Sequence, residues 1–424
     1  MLSVKDYLKK IAVAVFIGYC FWVFLLVSKS ILYNYPPVNS FFLSNGKIAG
    51  GDFIAFYTAG KIARTDKTKL YDFHYQAAKR DDILGKTFKV HLPFIYPPLM
   101  AWAFSGFAVF DFVTAFYLFT FLSALMAVVS LILLHRLLRP LNALSLCVLL
   151  LGVFGFMPFY NGCLSGGQLA SIGILIYAMV FFFLKKDKDF IAGLVLSLGY
   201  YKPPLFLLFA IALVLTRGRQ FFFGCLCGTI VLAALSALYI GPSQFWIYIT
   251  DASRYTYGQE LFTGFQLPVE YGMGIFALLT SLMPSMAWTA LVYAVLFLGA
   301  LFMSIACLKR VDPGSELYNL SYAATVIASL ALSLQLGTYD LSPLLVPFLI
   351  ILLNRSVPAR FRWALVAGIA LFYGEWQIMK ITIHGYIFHL APLLFAGFFI
   401  MLCLSIFQYS RKSSPVTIFK GRSD

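Results

Sequence analysis

The stretch Phe112–Leu134, FVTAFYLFTFLSALMAVVSLILL, runs for 23 residues without one Asp, Glu, Lys or Arg. As a helix at about 1.5 Å per residue it reaches across the roughly 30 Å hydrocarbon core of a bilayer. Similar runs recur at Phe221–Ile240 and Tyr386–Phe407. The 424 residues are 61% hydrophobic and only 12% charged, with a mean hydropathy of +0.86. No single soluble core can hide so much apolar surface. Outer-membrane barrels are built from short alternating segments, whereas these runs are long and unbroken. The chain therefore reads as an all-α polytopic membrane protein.

Working outward from that run, further candidate spans fall at Ile11–Val27, Leu141–Phe159, Leu169–Leu184, Phe190–Tyr201, Pro203–Leu215, Met286–Leu308, Leu317–Leu336, Leu341–Leu353 and Trp363–Ile378. Together they predict about 12 transmembrane helices. If the amino terminus is cytoplasmic, 19 of the 32 basic residues sit at inner ends, while the short outer connections carry only Lys202, Arg254 and Lys380. That bias sets the orientation. The remaining ten, from Lys29 to Lys89, belong to a loop long enough to escape the rule. The net charge of +15 is thus topological, and no nucleic-acid partner is expected.

This orientation requires that Phe94–Phe110, which opens with Tyr96-Pro97-Pro98, does not cross the membrane. The expected organisation is a single transmembrane domain over 1–424, a long first outer loop over 30–111 bearing juxtamembrane helices, and a cytoplasmic tail over 408–424. Gly272–Met283 is read as a second short interfacial element, both roofing a cavity at the outer leaflet. Lys5–Lys10 with Ile11–Val27 resembles a signal sequence but is read as an uncleaved first span. The seven cysteines form no disulfide framework.

Polar groups converge on the outer helix ends. Asp52, in GGDFIAFYTAG (Gly50–Gly60), opens the one long polar stretch and is the candidate general base. Its bland alternative is a turn or helix cap. Lys202 lies between Tyr201 and Pro203 among apolar helices, where a cation needs an anion beside it. That anion is either a ligand or a structural partner, Asp340 or Glu375. Tyr57, Tyr71 and Tyr96 could stack on a sugar or simply anchor in the interface. No paired His or Asp-x-Asp stands at an outer helix end, so no metal and no cofactor are expected.

The elements Asp52-Phe53, Phe56-Tyr57, Ala59-Gly60, Leu70-Tyr71-Asp72, Gln76 and Pro93–Leu99, followed by Gly167-Gln168, Ala192-Gly193, Lys202-Pro203 and Tyr339-Asp340, resemble glycosyltransferase family 87. That family of the GT-C class includes polyprenol-phosphate-mannose-dependent mannosyltransferases. Two departures stand out: Asp66-Lys67 replaces a usual glycine turn, and Tyr339-Asp340 stands where some members carry a histidine. The resemblance implies a GT-C fold and transfer of a hexose, mannose by analogy, from a polyprenyl-phosphate sugar to a lipid-linked or envelope glycan. It places the enzyme in the cell (inner) membrane with its site facing the periplasm or exterior.

The chemistry suits the residues. Asp52 would take the acceptor proton while Lys202 and Arg254 stabilise the departing phosphate. Tyr57, Asp72, Tyr96, Gln168 and Asp340 would position sugar and acceptor. One base without a nucleophilic carboxylate implies inversion. Two other classes remain: a secondary transporter, which should show repeats and midplane breaks, and a non-catalytic lipid-glycan binding membrane protein, which Asp52→Asn turnover would separate from an enzyme.

Overall fold

The computed structural model describes residues 48–87, 92–138, 142–252, 269–283, 285–354 and 386–413, with short pieces at 41–42, 260–262, 265–266 and 380–383 and four isolated positions before residue 40. The expected spans Ile11–Val27, but for those four positions, and Trp363–Ile378 lie outside these residues, as do Arg254 and Glu375.

The first described helices are short. α1 (Phe53–Thr65) buries Phe53, Phe56, Tyr57 and Gly60 along one side and Ile54, Thr58 and Ile62 along the other. α2 (Phe73–Leu84) begins where Asp72 accepts a hydrogen bond from the Tyr75 N–H, and ends at Gly85 in a left-handed conformation. α3 (Pro98–Phe107) starts on a proline whose missing N–H costs the first turn nothing and packs against α1. Its ten residues span about 15 Å, far short of a bilayer. The run Phe94–Phe110 therefore does not form a spanning helix.

Next come α4 (Phe112–Leu138) and α5 (Ala143–Gly155), the latter bent by 56° from the segment Met157–Ser165 that continues it. α6 (Ala170–Leu184), α7 (Asp189–Ser197), α8 (Leu207–Arg217), α9 (Arg219–Ile240) and α10 (Pro242–Thr250) follow. A Cβ at Gly193 of α7 would run into the Phe221 carbonyl of α9, so glycine there permits the close crossing of the two helices. After α11 (Ile275–Leu282) come α12 (Met286–Arg310), α13 (Glu316–Ala331), α14 (Leu345–Leu353) and α15 (Ala391–Ser413). The eight residues of α11 are also too few to cross.

Among the described residues four helices are long and apolar enough to span: α4, α9, α12 and α15, with the bent pair around Gly155 as a fifth. The sequence expectation of about 12 spans counted several runs that fold as shorter helices, among them α6, α8 and the segments flanking Lys202. Among the described residues two small antiparallel hairpins interrupt the helical pattern: β1 (Glu260–Phe262) with β2 (Phe265–Gln266), and β3 (Lys380–Ile383) with β4 (Tyr386–His389). The second corrects the expected span Tyr386–Phe407. Its first residues, rich in β-branched and aromatic side chains, pair as a strand, and the helix starts at Ala391.

The core centres on α13, where every residue from Tyr318 to Ala331 is buried. Tyr322 donates to the Tyr177 carbonyl of α6 at 2.6 Å, and Tyr177 and Ser329 both donate to the Leu205 carbonyl, at 2.7 and 2.8 Å. These bonds bind α6 and α13 to the chain just after Lys202.

Candidate functional site

Three helical runs lose their α geometry as they approach one place. After Met157–Phe159 the chain winds into a π-helical stretch, Tyr160–Ser165, and then turns through Gly166 and Gly167. α7 tightens into a 3₁₀ turn, Leu198–Tyr201, and Lys202 leaves helical geometry, with φ −152° and ψ 76°, before the 3₁₀ turn Pro203–Leu205. α14 is preceded by the 3₁₀ turn Tyr339–Leu344, which contains Pro343. Prolines cannot donate to a helical ladder, which explains two of these breaks locally. The three breaks carry Gln168, Lys202 and Asp340.

Asp52 stands at the start of α1 with φ −77° and ψ −12°, where an aspartate ordinarily caps free N–H groups. It makes no cap bond. Its Oδ2 instead accepts a short hydrogen bond from Gln168 Nε2. Its backbone N–H donates to the Gly166 carbonyl at 3.0 Å, fixing the two segments together. Gly167 has φ +68°, and a Cβ there would strike the Phe53 Cβ. Only glycine lets this turn close onto the head of α1.

Gln168 is 5% exposed, and its Oε1 accepts from the Tyr96 hydroxyl at 3.3 Å. Tyr96 is itself held: its carbonyl accepts from Tyr71 at 2.6 Å, and its ring meets Phe56 edge-on at 4.9 Å. The buried Gln76 clasps this segment, accepting from Phe94 N–H at 2.7 Å and donating to the Leu70 carbonyl at 2.6 Å.

Lys202 Nζ pairs with Asp340 Oδ2 at 2.6 Å, and both residues are buried, at 7% and 1% exposure. Asp340 Oδ2 also accepts the Gly337 N–H at 2.8 Å. The ammonium lies 4.9 Å from the Tyr339 ring centre and 5.9 Å from that of Tyr96, so it borders the Tyr96–Gln168–Asp52 chain. Burial pushes the Asp52 carboxyl above its ordinary value; the Gln168 hydrogen bond and the Lys202 charge pull against that rise.

Asp52, Tyr96, Gln168, Lys202 and Asp340 thus form one cluster. Tyr57 and Asp72 do other work. Tyr57 is 3% exposed, donates to the Phe110 carbonyl at 2.8 Å, and packs edge-on against Phe112 at 5.3 Å, tying α1 to α4. Asp72 is the cap of α2, and its bond from Tyr75 N–H holds its carboxyl below the ordinary range, with Lys69 3.5 Å away. Sequence reasoning overlooked the direct link from Gln168 to Asp52 and the part of Gly337 in holding Asp340. The signal for the second was local: Gly337-Thr338-Tyr339-Asp340 ahead of Pro343 reads as a turn whose N–H groups can meet an acidic side chain.

Among the described residues no group of three or more His, Cys, Asp or Glu side chains could hold a metal ion. A small cleft lies between α11 and β4, lined by Gly272, Ser281 and His389 among others, and includes none of the clustered residues.

Charged side chains buried at helix breaks in an apolar bundle mark a functional site in membrane proteins. Residues 94–334, more than half of the chain, match the family model for Glycosyltransferase family 87. The chain belongs to glycosyltransferase family 87 and is a membrane glycosyltransferase, acting on a sugar donor and an acceptor. Tyr96, Gln168 and Lys202 fall inside the matched region, Asp52 before it and Asp340 just after it. Neither the curated proteins nor the solved structures give a match.

Proposed function

We propose that the protein is a GT-C enzyme moving a hexose, mannose in the first instance, from a polyprenyl-phosphate donor to a lipid-linked or envelope glycan, with Asp52 as general base. The supporting observation is the state of Asp52: a carboxylate relieved of capping duty, held by a neutral amide, with its proton affinity raised by burial. A base is most useful when its pKa approaches the working pH.

The acceptor hydroxyl attacks the anomeric carbon as its proton passes to Asp52, and the bond from that carbon to the prenyl phosphate breaks. One displacement inverts the anomeric configuration. Lys202 and Arg254 are the proposed phosphate donors. An ammonium has three N–H donors and Asp340 takes one, leaving others for phosphate oxygen. Tyr96, Gln168 and Asp340 border the space where the sugar would lie. In this reading 30–111 forms the outer loop, 408–424 the cytoplasmic tail, and the site opens to the periplasm or exterior of the inner membrane.

The test uses purified protein in bilayers with a native membrane lipid extract as acceptor, offered prenyl-phosphate mannose or a nucleotide-linked mannose. Transfer from the prenyl phosphate alone, with inversion, is expected. Transfer from the nucleotide sugar, or retention, would overturn the proposal.

A further inference from the structure

The two halves of the cluster treat their carboxylates differently. Asp340 faces an ammonium at 2.6 Å, whereas Asp52 faces the amide of Gln168. A cation in direct contact would lower an aspartate pKa by about 1–3 units and blunt it as a base. Here the Lys202 charge is taken up by Asp340, and Asp52 receives a neutral donor that fixes its position without a full charge beside it.

An amide can present either its NH₂ or its oxygen. The ionised Asp52 carboxylate can only accept, which selects the orientation with Nε2 toward it, and the Tyr96 hydroxyl donates to Gln168 Oε1 at 3.3 Å, holding the amide at its other end. The Gln168 backbone is fixed as well, its N–H donating to the Gly162 carbonyl at 2.9 Å. Tyr96 is anchored by Tyr71 and Phe56. Every member of the series is therefore held from behind, and the bond ends on Oδ2 of Asp52 alone.

We propose that Gln168 is a positioning residue for the base: it holds Asp52 by Oδ2 so that Oδ1 faces the acceptor hydroxyl, and Tyr96 steadies the oxygen end of that amide. This rests on the reading of Asp52 as general base. Among the described residues the ionisable groups around Asp52 are Lys202 from the break after α7, Tyr96 from the segment before α3, and Asp340 with Tyr339 behind Lys202.

The experiment is the pH profile of turnover for the full chain in bilayers, with prenyl-phosphate mannose as donor and native lipid extract as acceptor. The variants are Gln168→Leu, Gln168→Glu, Tyr96→Phe and Asp52→Asn. Gln168→Leu is expected to lower kcat by about 10²-fold, as misplacement of a reacting group does, with donor KM nearly unchanged. Its acid limb should move to higher pH, because a bond favouring the ionised base is gone. Gln168→Glu should move the limb further, by setting a second carboxylate against the first, and Tyr96→Phe less far. Folded Gln168→Leu with wild-type kcat and an unmoved limb would overturn the inference. Should that variant not fold, Tyr96→Phe decides, an unmoved limb and kcat again overturning it. If Asp52→Asn is inactive while the Gln168 and Tyr96 variants behave as wild type, only the positioning role falls. If Asp52→Asn turns over normally, the base assignment fails and this role with it.

Discussion

Helix α12 and the break around Lys202 show two ways for a chain to live in an apolar setting. The most apolar window of α12 is only 17% buried within the protein, and its outward side carries Leu291, Val295, Leu298 and Phe302. Its backbone is an unbroken helix from Met286 to Arg310. Lipid offers no hydrogen bonds, so a surface facing it must satisfy every peptide group internally. Near Lys202 the chain instead abandons the α geometry, and it can do so because surrounding protein supplies partners: Leu205 accepts from Tyr177 and Ser329, and Asp340 from Gly337. At this break the irregular backbone is enclosed by protein, and it holds a buried charged pair. The comparison locates function where regularity is lost.

Its largest expected consequence concerns the pair at the break. Lys202→Met leaves the Asp340 carboxylate buried without its cation, a change that typically costs about 3–5 kcal/mol. Thermal unfolding in detergent should show a marked fall in Tm, and adding Asp340→Asn should recover most of it. A Tm unmoved by Lys202→Met would mean the pair does not hold the break together.

A smaller effect is expected at Asp72, whose role as cap of α2 contrasts with that of Asp52. Asp72→Ala should cost about 1 kcal/mol of stability and leave turnover as it was. A large loss of turnover in folded protein would place Asp72 in substrate binding.

The smallest belongs to the lipid-facing side. Phe302 is 70% exposed, and Phe302→Ala should shift stability by no more than about 0.5 kcal/mol. A large destabilisation would show that this side of α12 packs on protein and not on lipid.

Much of this contrast was legible in the sequence. The long apolar runs at Phe112 and Met286 gave helices of nearly the expected extent, because nothing but the bilayer dictates their length. The proline pairs at Pro97-Pro98 and Pro203-Pro204 marked where helices start or fail. The strand at Tyr386–His389 was not legible, since a short apolar run fits strand or helix equally well until its pairing partner is known. In the site, Asp52 and Lys202 stood out because charge is rare in such a chain. The sequence narrowed the partner of Lys202 to a ligand, Asp340 or Glu375, and Asp340, 138 positions away, takes it; the partner of Asp52, Gln168 at 116 positions, was beyond reach. Such pairings depend on how helices pack, which no local pattern encodes.

The central claim is that Asp52 acts on the transition state. Burial raises its folded-state pKa above the ordinary 3.8, so the folded protein holds the proton more tightly than the unfolded chain. Stability contributed by that group is present below the ordinary value and is lost as pH rises through the raised one. Asp52→Asn should therefore be at least as stable as wild type at neutral pH. The most direct measurement is turnover and donor binding of purified Asp52→Asn in bilayers at that pH. The account predicts retained binding of prenyl-phosphate mannose with turnover lower by about 10² to 10⁴. Transfer at a near wild-type rate would contradict it.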